Sequence, residues 1–150
     1  MVQGIGVTLL PSSRPGTWGT QVRQWELTSP TELRDLRAAM MTALTGSPDT
    51  TAQMDDVPAK MVLVATELAT NALRHGLPPT VVRLYRVGDE FIIDVAYHDP
   101  QILPEYADAR PPGAGGLGLR LAREFSLDIG WFVNHRTKHV WAKFPVPEQA

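Results

Sequence analysis

Two runs of β-forming residues, TVVRLYRV (80–87) and EFIIDVAYH (90–98), stand on either side of Gly88-Asp89. A dipeptide of this kind between strand-like runs closes a two-residue hairpin, so the two runs form an antiparallel pair within one sheet. Phe91, Ile93, Val95 and Tyr97 alternate with the residues between them, which predicts that one face of that sheet lies against a core. An antiparallel pair in mid-chain argues against a doubly wound parallel sheet, and the remaining elements must be arranged around it.

Upstream, VRQWEL (22–27) is a short β-rich run that stops at SPTE, where Ser29, Pro30 and Glu32 supply an N-cap, an N1 proline and a capping box. A helix is predicted from there, with Leu33, Leu36, Met40 and Leu44 as its buried stripe and Gly46 as its stop. Asp55 or Asp56 then caps a second helix, with Pro58 early in it and Gly76, Pro78 and Pro79 beyond its end. Leu117, Leu121 and Phe125 outline a third, shorter helix, and LDIGWFV (127–133) and KHVWAKFP (138–145) read as two strands about the turn NHRT. The order is β-α-α-β-β-loop-α-β-β, with the strands in antiparallel pairs and the helices segregated from them. That order predicts an α+β fold, a two-layer α/β sandwich.

With 150 residues, 43% hydrophobic and 20% charged, the chain suits one domain, read as residues 21–146, after a Gly/Pro/Ser-containing and mobile extension (1–20) and before a tail (147–150). A net charge of -2 without a Lys/Arg run predicts neither nucleic acid nor an anionic membrane as a partner. The absence of cysteine removes disulfides and thiolate zinc sites. No segment reaches the roughly 18 apolar residues of a membrane span, and no basic start leads into an apolar run, so a cytoplasmic protein is expected.

Chemistry concentrates on the second helix. In VATELATNALRHG (64–76), Glu67, Asn71 and then Arg74 or His75 fall on one side, beside an apolar stripe of Val57, Met61, Ala65, Leu68 and Ala72. A carboxylate and an amide one turn apart suit magnesium phosphate chemistry, since an amide oxygen can coordinate the cation while a carboxylate orients or deprotonates a nucleophile. On spacing alone the plainer reading is a solvated polar edge. The stretch GAGGLGLRL (113–121) satisfies G-x-G-x-x-G, but a proline-rich loop precedes it where a Rossmann turn needs a strand. It reads as a glycine-rich loop entering a helix N-terminus, which suits an anion.

ELATNALRHG, YHDP, GAGGLGLRLA and KHVWAKFP, in this order, resemble the GHKL (Bergerat) ATP-binding domain, and most of all its small anti-sigma-factor serine kinases. The likeness covers about residues 22–145. It implies a mostly antiparallel mixed sheet with about three helices on one face, and Mg²⁺-ATP as cofactor. By the same resemblance Glu67 is the catalytic carboxylate, Asn71 the magnesium ligand and His75 a residue near the phosphates. Asp99 accepts a hydrogen bond from the adenine amine, and Gly115, Gly116, Leu117 and Gly118 belong to an ATP lid. A sigma factor, an antagonist protein whose serine is phosphorylated, or both are the implied partners, and a homodimer is compatible with the class. The chain departs from the family at Pro100, Gln101 and Ile102, where glycines usually follow the aspartate, and at His139, where many relatives carry Thr or Ser.

His135 and His139 have an H-x-x-x-H spacing, but they flank a turn and a strand, where that spacing does not converge on a metal. Trp25, Trp131 and Trp141 are expected to pack on the sheet, and Trp18 has no assigned partner within the chain. Beside the kinase reading stand an ATP-binding module without chemistry and a nucleotide-free interaction domain.

Overall fold

The computed structural model describes residues 12–48, 56–99 and 116–146, with backbone only for 116–120. Residues 1–11, Asp55 and the tail 147–150 lie outside the described residues. Five strands are present: β1 (Thr20–Leu27), β2 (Leu77–Val87), β3 (Glu90–His98), β4 (Asp128–Asn134) and β5 (Thr137–Pro145). Three helices join them: α1 (Leu33–Thr45), α2 (Val57–His75) and α3 (Gly116–Phe125). The sheet order is β1-β2-β3-β5-β4. Every ladder is antiparallel, so the expected mixed sheet is corrected to an antiparallel one. Among the described residues the one parallel pairing is an isolated bridge between Ser12 and Trp131.

The capping box forms as the sequence predicts. Glu32 Oε1 accepts from the Thr28 N–H at 2.7 Å and the Ser29 N–H at 3.1 Å, while the Ser29 side chain accepts from the Thr31 N–H. The first turn, Pro30–Glu32, is a 3₁₀ turn, and the α-helical part begins at Leu33. Leu36, Met40 and Met41 are buried, with Leu33 and Leu44 packed at the margin of the core. Gly46 stops the helix in the left-handed conformation (φ 86°), its N–H donating to the Thr42 carbonyl. Asp56 occupies the N-cap position of α2, but its side chain makes no capping bond, which corrects the expected carboxylate cap.

Helix α2 lies between α1 and α3 and against the sheet, so its buried set is broader than a single stripe. Met61, Val64, Ala65, Leu68, Ala69 and Ala72 all belong to the main core. They meet Val82, Leu84, Ile93, Val95, Ala142 and Phe144 from the inner face of the sheet. Each larger aliphatic buried in this layer contributes on the order of 1.5–3 kcal/mol. No helix among the described residues is long and apolar enough to cross a membrane.

β3 is buried on both faces, which corrects the expectation of a one-sided strand. On the outer face Ile92, Phe132 and Trp141 form a second cluster, covered by Trp18, Tyr85 and Val87. Residues 12–18, assigned above to an extension, run across this face. Ser13 donates its N–H to the Trp131 carbonyl (2.9 Å), and its own carbonyl accepts from Trp141 Nε1 (2.8 Å). Trp18 packs on Tyr85 and Phe132 at centroid distances of 4.9 and 6.0 Å, so its partners lie within the chain.

Candidate functional site

The polar edge of α2 climbs toward one end of the sheet. Glu67, Asn71 and His75 are each partly buried and follow one another at about 6 Å of axial rise. Arg74 is exposed, so His75 is the third member of the row. Thr66 and Thr70 turn their hydroxyls back on the carbonyls of Val62 and Thr66 (both 2.7 Å), which leaves the acid and amide as the polar groups along this edge.

At the top of α2 the chain turns directly into β2, because Leu77 pairs with His98. A Cβ on Gly76 would meet the Tyr97 ring, and would lie 2.9 Å from the Ala72 carbonyl oxygen and 3.0 Å from that of His98. Only a hydrogen fits, and the requirement is steric, since φ at Gly76 is −109°. Helix α2 therefore ends in contact with the last residues of β3. Asp99 is the next residue, 5% exposed and engaged within the fold. Tyr97 belongs to the inner core and His98 lines the outer face, so the alternation returns Asp99 to the helix side.

α3 runs the other way. Its C-terminal end is tied to the far end of the sheet, where the Leu127 N–H donates to the Lys143 carbonyl and Phe125 lies 5.4 Å from Lys60 Nζ in the first turn of α2. Its N-terminus accordingly faces the end of the sandwich that holds Gly76 and Asp99. Gly116, Leu117 and Gly118 form its first turn, and the backbone N–H groups of such a turn have no intrahelical partner. Gly115, Pro100, Gln101 and Ile102 lie outside the described residues.

The structure thus gathers Asn71, His75, Asp99 and the start of α3 at one end of the helix layer, with Glu67 one turn further down α2. An acid and an amide oxygen on α2 and the backbone N–H groups of a helix start are groups of the kind that can hold a magnesium-bound phosphate. Among the described residues no group of three or more His, Asp or Glu could hold a metal through protein ligands alone. The chain matches no protein-family profile and no curated protein sequence.

A second polar cluster was not legible from the sequence. Asp94, 1% exposed, points to the outer face, and His139 Nδ1 lies 3.1 and 3.0 Å from its two oxygens. Arg83 stands 3.8 Å from the same carboxylate, and the His139 ring stacks on Phe132 at 4.5 Å and 6°. The pair joins residues on neighbouring strands that are distant in sequence, so only knowledge of the β3–β5 register could have found it.

Proposed function

We propose that this chain is an ATP-binding regulatory protein of the GHKL type, an anti-sigma factor that phosphorylates a serine of an antagonist protein. The observation that carries the reading is the convergence, at one end of an α+β sandwich, of the α2 polar row, buried Asp99 and the glycine-led start of α3. Asn71 would hold Mg²⁺ through its side-chain oxygen, and Asp99 would accept from the adenine amine. Backbone N–H groups from Gly116 to Gly118 would face the phosphates, beside His75 and the preceding lid residue Gly115. Bound Mg²⁺-ATP supplies the transferable phosphoryl group. Glu67 would orient the incoming serine hydroxyl and take its proton. The proposed partners are the antagonist and a sigma factor, in the cytoplasm.

Titration calorimetry with Mg²⁺ and each nucleotide tests the reading. ATP is expected to bind tighter than GTP, because guanine presents a carbonyl where adenine presents the amine. Equal affinities remove the role of Asp99. Glu67→Gln is expected to keep ATP affinity within a few-fold and lower phosphoryl transfer by roughly 10²- to 10⁴-fold. Asn71→Ala is expected to damage both. A wild-type chain that binds ATP but phosphorylates no antagonist belongs instead to the non-catalytic binding modules, a reading that Pro100, Gln101 and Ile102 favour in place of the usual glycines.

A further inference from the structure

The outer face of the sheet divides in two. One half is covered by residues 12–18, whereas the half at the end of β3 forms a groove of about 430 Å³ that none of the described residues covers. Its apolar floor includes Val81 and Ala96, and its polar lining is Arg83, His98, Asn134, His135, Thr137 and His139. Three of the four histidines in the chain therefore meet in one place, brought there by the end of β3, the β4–β5 turn and β5.

Arg83 brings a fixed positive charge to this lining, and Asn134, Thr137, His98 and His135 bring groups able to donate, in a chain whose net charge is -2. The carboxylate beneath the groove, Asp94, is 1% exposed and already engaged by His139 and Arg83. A carboxylate accepts only, so the His139 Nδ1 facing it carries the proton, and Nε2 on the opposite edge accepts in the neutral ring and donates only when that nitrogen is protonated as well. Arg83 is held too, its Nε donating to Gln24 Oε1 at 3.0 Å. Burying a carboxylate in a sheet face costs more than placing an apolar residue there. Neighbouring outer positions carry Ile92, Ala96 and Trp141, so an apolar side chain would suit position 94. What Asp94 adds is a fixed position for His139 and Arg83, both of which line the groove.

We infer that this groove is a second ligand site, for a small organic anion carrying a phosphate group. Its volume falls among those of small-molecule pockets, about 300–1,000 Å³. A guanidinium together with several further groups able to donate suits the three terminal oxygens of a phosphomonoester better than the two of a carboxylate. Val81 and Ala96 take the apolar remainder. The site lies on the face opposite α2 and does not rest on the nucleotide reading.

The experiment is a metal-free NMR titration of the full chain with phenyl phosphate, benzoate and phenol, following imidazole and backbone resonances. Phenyl phosphate is expected to shift His98, His135 and His139 saturably, benzoate to bind several-fold more weakly, and phenol to shift nothing. Arg83→Gln should weaken phenyl phosphate at least several-fold. His135→Gly, which removes a rim donor without touching a buried group, should weaken it as well, while Asn71→Ala should leave it unchanged. Absence of a saturable shift at the three histidines overturns the site, as do shifts centred on α2. Benzoate binding as tightly as phenyl phosphate overturns the ligand class.

Discussion

Replacing either member of the Asp94–His139 pair should destabilise the fold, and unequally. His139→Ala removes charge-assisted hydrogen bonding worth about 1.5–3 kcal/mol. It also removes a ring stack on Phe132 worth about 0.5–1.5 kcal/mol. The carboxylate left behind is buried, while Arg83 at 3.8 Å offsets part of the loss. We expect a cost of about 3 kcal/mol, or about 6–12 °C in Tm for a chain of this size. Asp94→Ala leaves an imidazole that lines the groove and can reach water there, so its cost should be smaller, about 1–2 kcal/mol. The double variant should cost little more than His139→Ala alone, a coupling of about 1–2 kcal/mol. Urea unfolding followed by tryptophan fluorescence measures all three, provided the denaturant slopes agree. If Asp94→Ala is the costlier single change, or if the double variant equals the sum of the singles, Asp94 is not a buried carboxylate sustained by His139.

Gly76→Ala forces a methyl against the Ala72 and His98 carbonyls and the Tyr97 ring, and should cost about 1–3 kcal/mol; an unchanged Tm would show that α2 does not press on β3 as described. Trp18→Ala strips the cover from Tyr85 and Phe132, and should lower stability by about 1–3 kcal/mol and speed proteolysis within residues 12–19, both readable by thermal melts and limited digestion. The Glu32 carboxyl is held below the ordinary value of 4.5, chiefly by the backbone hydrogen bond from Thr28 and then by the Thr28 hydroxyl. A lowered folded-state value means that its stabilising contribution is present above the unfolded value and is lost as pH falls through the folded one. A carbon-detected NMR titration should therefore place the Glu32 midpoint below that of an unstructured peptide, and an equal midpoint would refute the capping role. In the nucleotide assay, Asp99→Asn should weaken ATP at least tenfold, whereas Asp94→Asn, on the outer face, should leave it unchanged.

Elements whose ends carry local chemistry were legible in the sequence. The capping box at Ser29 and Glu32, the left-handed Gly46 and the Gly88-Asp89 turn each act within a few residues, so propensity and structure agree there. Pro78 and Pro79 read as punctuation, yet β2 starts at Leu77. The ladder tolerates them because its register shifts between Leu77 and Val81, where the prolines need donate nothing. The alternation of Phe91, Ile93, Val95 and Tyr97 identified the inner face, but Ile92 and Asp94 are buried too, because Trp18 and the neighbouring outer-face side chains Phe132, His139 and Trp141 pack around them. Along α2 the positions of Glu67 and Asn71 followed from helical spacing. The meeting of α2 with Asp99 did not, because it depends on the tight junction at Gly76 and on the β2–β3 register.

The strand order also has a kinetic consequence. β2 with β3, and β4 with β5, are hairpins closed over Gly88-Asp89 and His135-Arg136, so each can pair after a small loss of chain freedom. The β3–β5 seam joins those hairpins through residues far apart along the chain, from Glu90↔Pro145 to His98↔Thr137. Non-local pairing of this kind sets folding speed. Val95 and Val140 face each other in mid-seam, and trimming either should slow refolding, whereas changes confined to edge strand β1 should mainly hasten unfolding. Lengthening the segment between β3 and α3 adds only a logarithmic closure term. Added length in that connection is therefore cheap for assembly, and the seam itself is where the folding rate is exposed to mutation.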